Sequence, residues 1–162
     1  MKLKESTNKV VIGEREKRVA VSGHRELEYN FNFESLREEL EKLSDKYNVF
    51  LIGMALGFDT ACFQALEKIR ENKDIKIVAC IPCTNQNEWY SLPQRAEYER
   101  MINSADQVIV LKGRYDYTCM RERNRFLVDN SSLLLAYKRK NTGGTVYTVN
   151  YAVEKNVPVI RI

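Results

Sequence analysis

Residues 18–53 read RVAVSGHRELEYNFNFESLREELEKLSDKYNVFLIG. RVAVSG (18–23) is a β-branched apolar run that ends in small polar residues, and NVFLIG (48–53) is a second apolar run. Between them, FNFESLREELEKLSDKY (31–47) sets Phe33, Leu36, Leu40 and Leu43 at helical spacing, with Ser and Glu near its start. Two strands that are apolar throughout, joined by an amphipathic helix, form a parallel β-α-β unit whose sheet is covered on both faces.

The same beat runs to the end of the chain. GFDTACFQALEKIREN (57–72) is a helix pattern with Ala61, Ala65, Leu66 and Ile69 inward. IKIVACI (75–81) leads to LPQRAEYERMINSA (92–105), and QVIVLK (107–112) leads to MRERNRFLVDNS (120–131). LLLAY (133–137) leads to GGTVYTVNYAVEKN (143–156), and PVIRI (158–162) closes the series. Six strands and five crossovers predict an α/β, Rossmann-like, doubly wound and mostly parallel sheet with helices on both faces. No repeat or Pro/Gly-rich linker divides residues 18–162, which reads as a single domain preceded by a loosely attached arm or extra hairpin at 1–17.

The bulk properties narrow the classes. Hydrophobic content of 44% beside 30% charged residues is that of a globular domain. No apolar run approaches the roughly 20 residues of a membrane span, and the first residues lack the apolar core of a signal peptide. The cytoplasm is the expected compartment, with no membrane partner. The formal charge is +4, but residues 1–18 hold six Lys/Arg against three Glu, which leaves 20 basic and 19 acidic residues in the rest. A near-neutral body argues against nucleic acid as partner. One His and four Cys make a structural zinc site improbable, so no metal is expected. Cys80-Ile-Pro-Cys83 is placed at the end of a strand rather than at a helix start, so it is read as ordinary thiols and not as a redox motif.

In such sheets the ligand lies beyond the carboxyl ends of the strands, and five loops gather there. Ser22-Gly23-His24-Arg25 offers close backbone approach and a cation, and His24, the sole histidine, either does acid-base work or satisfies backbone groups in a turn. Gly53-Met54-Ala55-Leu56-Gly57-Phe58-Asp59 opens a helix and points N–H groups at an anion, and Asp59 either caps that helix or accepts from a ribose. It matches neither the nucleotide P-loop nor G-x-G-x-x-G. Pro82–Leu92 carries Trp89, suited to stacking on a base, among amides. Arg114 to Arg125 is the densest polar cluster, and arginines at a helix start suggest an anionic ligand. Asn141-Thr-Gly143-Gly144-Thr145 begins the last helix after Lys138, Arg139 and Lys140, which gives a phosphate site its physical basis.

SGHR, GMALGFDTA and RERNRFLVDNSSLLLAYKRKNTGGTVYTVNYAVEKNVPVI together resemble the SLOG superfamily, which includes DNA-processing protein A and the "lonely guy" phosphoribohydrolases. With Gln86-Asn87-Glu88-Trp89 the chain is most similar to the small stand-alone YpsA-like branch. The resemblance implies a Rossmann-like fold that binds nucleotide-derived ligands, often in self-associated form, so a homo-oligomer is compatible with it. Phosphoribohydrolases carry an arginine in a stretch matched here by Met120-Arg121-Glu122-Arg123-Asn124. Their catalytic glutamate position falls on Thr148, which cannot supply the charge that an oxocarbenium-like state needs.

The expected function is therefore binding of an ADP-ribose-like, NAD-related or cyclic nucleotide signal as a sensor or sequestering module without turnover, no cofactor being required. Its expected contacts are Ser22, Gly23, His24, Arg25, Gly53, Met54, Ala55, Gly57, Asp59, Trp89, Arg123, Asn124, Gly143, Gly144 and Thr145. Two alternatives stand beside it. One is a phosphoribohydrolase-like N-glycosidase acting on a nucleoside monophosphate through Arg123 and Glu122. The other is single-stranded nucleic-acid binding through Arg114, Arg121, Arg125 and Lys138–Lys140.

Overall fold

The computed structural model describes residues 3–162. Six strands, β1 (Arg18–Gly23), β2 (Val49–Ile52), β3 (Lys76–Cys83), β4 (Gln107–Lys112), β5 (Leu133–Tyr137) and β6 (Val159–Arg161), form one sheet in the order β4-β3-β2-β1-β5-β6. Every pairing is parallel. The chain steps outward from β1 to β4, then crosses back to β5, so strand order reverses between β1 and β5. That is the position at which an open α/β sheet leaves a crevice beyond its strand ends.

Five helices cover the sheet: α1 (Phe33–Leu43), α2 (Phe58–Arg70), α3 (Leu92–Ser104), α4 (Cys119–Asp129) and α5 (Gly144–Glu154). The strand period of two sorts the core into two layers. Val19, Val21, Phe50, Ile52 and Ile77 pack with Leu36 and Leu40 of α1, Phe63 and Leu66 of α2, and Tyr98 and Met101 of α3. Ala20, Leu51, Val78 and Cys80 pack with Leu127 and Val128 of α4 and Val149 and Ala152 of α5. The doubly wound, two-faced sheet expected from the alternating pattern is thus present, and it is wholly parallel.

Helix ends follow local chemistry. Asn32 caps α1 by accepting from Ser35 N–H at 3.0 Å. Ser91 and Gln94 form a reciprocal capping box at the start of α3. Phe33, assigned to the buried stripe of α1 from its spacing, is 60% exposed. As the first helical residue it lies beyond the sheet and meets Phe31 edge-on, with ring centroids 4.9 Å apart. Cys80 also departs from expectation, since it sits inside β3 rather than at its end. All four cysteines are free and buried, and Cys83 Sγ lies 3.9 Å from Cys119 Sγ at the start of α4.

The segment before β1 runs along β4, the edge strand. Ser6 N–H donates to Val110 O at 2.9 Å, and Ser6 Oγ accepts from Val110 N–H at 2.9 Å. Gln107 brackets the arm, accepting from Val11 N–H and donating to Lys9 O. The buried Arg18 guanidinium donates to the carbonyls of Val10, Ile12 and Gly13.

Candidate functional site

Beyond the carboxyl ends of β1 and β2 the backbone approaches its neighbours too closely for side chains. A Cβ on Gly53, just past β2, would stand 2.7 Å from Arg123 Nη1. Gly57 has φ +76°, and a Cβ there would meet His24 O at 2.6 Å. That contact exists because Phe58 N–H donates to His24 O at 3.1 Å, pinning the loop after β1 to the start of α2. Met54 is a buried non-glycine residue at φ 64°, a backbone state that persists only where its surroundings enforce it.

Arg123 is the hub. It is 6% exposed, donates through Nη1 to Gly53 O, and donates from Nε to Asn124 Oδ1 at 2.9 Å. Gln86, also buried, donates to the same Gly53 carbonyl at 3.2 Å and accepts from Tyr98 O–H at 3.0 Å. Asn124 Nδ2 reaches within 3.5 Å of the Cβ position of Gly144. The loops after β2 and β3 and the starts of α4 and α5 therefore meet around one guanidinium.

Asp59 lies in the first turn of α2 and is 5% exposed. Its Oδ2 accepts from Ala55 N–H at 3.0 Å, while Oδ1 is buried without a protein partner. Burial pushes the carboxyl up to about 6 against the opposing pull of Arg123, the Ala55 N–H and Arg25. An unpaired buried acceptor is costly, and this one stands at a helix start under the influence of Arg123 and Arg25.

His24 has a definite job. Its Nε2 accepts from the backbone N–H groups of Arg139 at 2.8 Å and Lys140 at 3.2 Å, so the ring holds the loop after β5. Partial burial and the charges of Lys140, Arg139 and Lys138 lower its pKa and keep it neutral as that geometry requires. Of the two sequence readings, the backbone-satisfying one describes it. At the start of α5, Gly143 (φ +103°) has nothing within 4 Å of its Cβ position, and the first intrahelical bond, Tyr147 N–H to Gly143 O, leaves the N–H groups of Gly144, Thr145 and Val146 as donors. Thr145 and Thr148 are buried, and Thr148 Oγ1 donates to Gly144 O at 2.8 Å.

Four expected participants lie elsewhere. Trp89 is 90% exposed, outside the packed crevice. Arg121 lies over the Tyr147 ring, with Cζ 4.9 Å from its centroid, and Arg125 donates to Tyr147 O–H at 2.9 Å. The arginines of α4 therefore serve helix packing except for Arg123, which corrects the view that an anion explains them all. Glu122 pairs with Lys112 at 3.0 Å and accepts from Thr118 O–H at 3.1 Å. Gln86, part of the Gln86–Trp89 motif, and Tyr98 were not among the expected contacts. Their signal, an amide run and a tyrosine on the inward face of α3, is faint in one dimension. Ser22 and Gly23, read from the sequence as loop, are the last residues of β1 and pair with Ala136 and Tyr137 of β5, while Arg25 and Ala55 follow the ends of β1 and β2.

This layout has known counterparts. Residues 10–158 match YpsA, the YspA SLOG family. The chain belongs to that family. Within reach of this SLOG chain, the uncharacterized SPbeta prophage-derived protein YoqJ of Bacillus subtilis (strain 168) is 31% identical over 130 residues, spanning 71% of this chain and 74% of that protein. DNA processing protein A from Streptococcus pneumoniae superposes with a TM-score of 0.69 at 20% identity, over 90% of this chain and 50% of that one. DNA processing protein A from Helicobacter pylori, whose single-stranded DNA binding mode has been described, gives 0.67 at 18% identity, over 89% and 64%. The chain thus spans less than two thirds of both DNA processing proteins, and at these identities the likeness is one of fold.

Among the described residues no group of three His, Cys, Asp or Glu side chains gathers to hold a metal, and no helix is long and apolar enough to cross a membrane.

Proposed function

We propose that this SLOG domain binds a phosphorylated, nucleotide-derived ligand in the crevice between β1 and β5 and does so as a sensor or sequestering module. The observation that carries this reading is the buried, unpartnered Asp59 Oδ1 at the start of α2, together with the open start of α5, where nothing stands within 4 Å of the Gly143 Cβ position. The two groups suit the two ends of one molecule. Gly143, Gly144 and Thr145 offer donors and a positive helix end to a phosphate. Arg25 and Arg123 add positive charge, and Asp59 accepts from a sugar hydroxyl.

Support for binding over turnover comes from the carboxylates. Glu122 is engaged by Lys112 and Thr118, and Thr148 stands where catalytic relatives are expected to carry an acid. Calorimetry with a panel of NAD, ADP-ribose and cyclic nucleotides tests the reading. Affinity that Gly144→Glu abolishes is the expected result, since a carboxylate at that helix start repels phosphate. No heat from any member at millimolar ligand, or affinity untouched by Gly144→Glu, removes it. Release of free base from a nucleoside monophosphate would instead establish the N-glycosidase alternative.

A second reading, single-stranded nucleic-acid binding, draws on the fold shared with the Helicobacter pylori protein and on exposed Arg114, Arg139 and Lys140. Such binding weakens steeply with salt. A flat response dismisses it.

A further inference from the structure

Beside the crevice lies a cavity of about 230 Å³ that the phosphate reading leaves unused. Its walls are Met54, Leu56 and Thr60 from the loop after β2 and the start of α2, and Tyr90, Tyr98 and Met101 from the approach to α3 and its inward face. Whole-ligand sites run from about 300 Å³ upward, so this space suits a fragment of a ligand rather than all of one. Its walls are mainly apolar and aromatic, with Thr60, Gln94 and Glu97 as the rim groups that carry polar atoms. Gln94 spends its Oε1 on Ser91 N–H, leaving its amide nitrogen to donate, and Thr60 Oγ1 donates to Ala55 O at 3.2 Å and keeps its lone pairs.

Tyr90 joins the cavity to the crevice. Its O–H donates to Met54 O at 3.4 Å, and its ring stands edge-on to Tyr98, centroids 5.6 Å apart. Arg25, Arg123 and Asp59 all lie close enough to act on the Tyr90 phenol electrostatically. Met54, the buried residue held at positive φ, lines the same space and follows Gly53, whose carbonyl receives both Arg123 and Gln86. A flat ring in the cavity would therefore sit next to the charged groups of the crevice, with one shared wall.

We propose that this cavity is the ring subsite of the same ligand: it takes the planar heteroaromatic base of a nucleotide whose phosphate lies on α5. The inference rests on the nucleotide reading above and sharpens it, because it moves base recognition from exposed Trp89 to the Met54–Tyr90–Met101 cavity. A sugar bridging the two subsites passes Asp59, whose free Oδ1 accepts from its hydroxyl. Rim groups on Thr60 and Gln94 then meet the ring's exocyclic substituents.

The four methionines make the test direct. Met54 and Met101 line the cavity, and Met120 Sδ lies 3.9 Å from Arg123 Nη2 in the crevice. Methyl resonances of isotope-labelled methionine are followed in the full chain during titration with AMP, ribose phosphate and adenosine. AMP is expected to move Met54, Met101 and Met120, ribose phosphate to move Met120 but not Met101, and adenosine to move Met54 and Met101. AMP should bind about tenfold more tightly than ribose phosphate, and Leu56→Trp, which fills the cavity, should erase that preference.

A Met120 response to AMP with Met101 silent overturns the inference while leaving the phosphate reading in place. So does an AMP preference that survives Leu56→Trp or that disappears with Trp89→Ala. A Met101 response to adenosine with Met120 silent to both phosphates keeps the ring subsite and removes the phosphate reading. Silence of every methyl to all three probes removes both. If Leu56→Trp fails to fold, the wild-type methyl responses still decide.

Discussion

Asp59 concentrates the conflict between stability and function in a single carboxyl. Its pKa in the fold, about 6, lies above the ordinary carboxylate value. The folded state thus takes up a proton that the unfolded chain still lacks, so the group stabilises the fold as pH falls through about 6 toward the unfolded value. Above that window it burdens the native state with a buried charge. Asp59→Asn keeps the acceptor for Ala55 N–H and removes that burden. Thermal melts should show it more stable than wild type at pH 8, by on the order of 1–3 kcal/mol, with the gain shrinking below about pH 6 and gone once the pH falls beneath the unfolded value of 3.8. A uniform gain, or a loss at both pH values, would contradict the assignment. Gly57 answers a simpler demand. Ala there combines positive φ with a clash against His24 O and should cost about 1–3 kcal/mol, whereas Gly143→Ala meets open space and should cost less in the same denaturant titration.

At the scale of elements, His24 ties the loop after β1 to the loop before α5, and the tie depends on a neutral ring. Its lowered pKa reverses the sign found for Asp59. The stabilisation is complete above the unfolded value near 6.5 and is lost as pH falls from there through the folded value. Amide exchange at Arg139 and Lys140 should accelerate on acidification beyond the intrinsic pH trend, and His24→Phe should show the fast rate already at neutral pH. Equal protection in both proteins would mean that the two N–H groups are held by something other than His24. The sequence made this loop visible because Gly-Gly and the basic run interrupt an apolar strand. It could not reveal the tie, since residues 24 and 139 are brought together only by the pairing of β1 with β5. The same holds for Gln86 and Tyr98. The strands and helices themselves were legible because their burial is periodic, as RVAVSG and the Leu36–Leu40–Leu43 stripe show. Phe33 was misread because periodicity does not say where a helix stops facing the sheet. Arg121 and Arg125 of α4 were misread because charge alone does not separate a ligand contact from a tyrosine partner.

Across the whole molecule, the sheet has two bare flanks to protect, and β4 is shielded by the segment before β1. Removing residues 3–13 would expose the Val110 edge and strip the buried Arg18 of the Val10, Ile12 and Gly13 carbonyls. Unpaired edges template association, so the shortened protein should melt earlier and scatter light at concentrations where the full chain stays clear. An unchanged melt would show that the arm contributes nothing to the body. The four enclosed thiols supply a different kind of instrument. Burial holds Cys80 and Cys83 up to about 12, so a thiol reagent meets almost no thiolate until the chain opens. Labelling kinetics then become a clock for breathing: Cys83 and Cys119, at the end of β3 and the start of α4, time the parting of those two elements, and Cys62 and Cys80 time the loss of the two core layers. A ligand that clamps the crevice should slow the first pair alone, so the protein carries in its own sulfur a gauge of which part of the fold a bound molecule steadies.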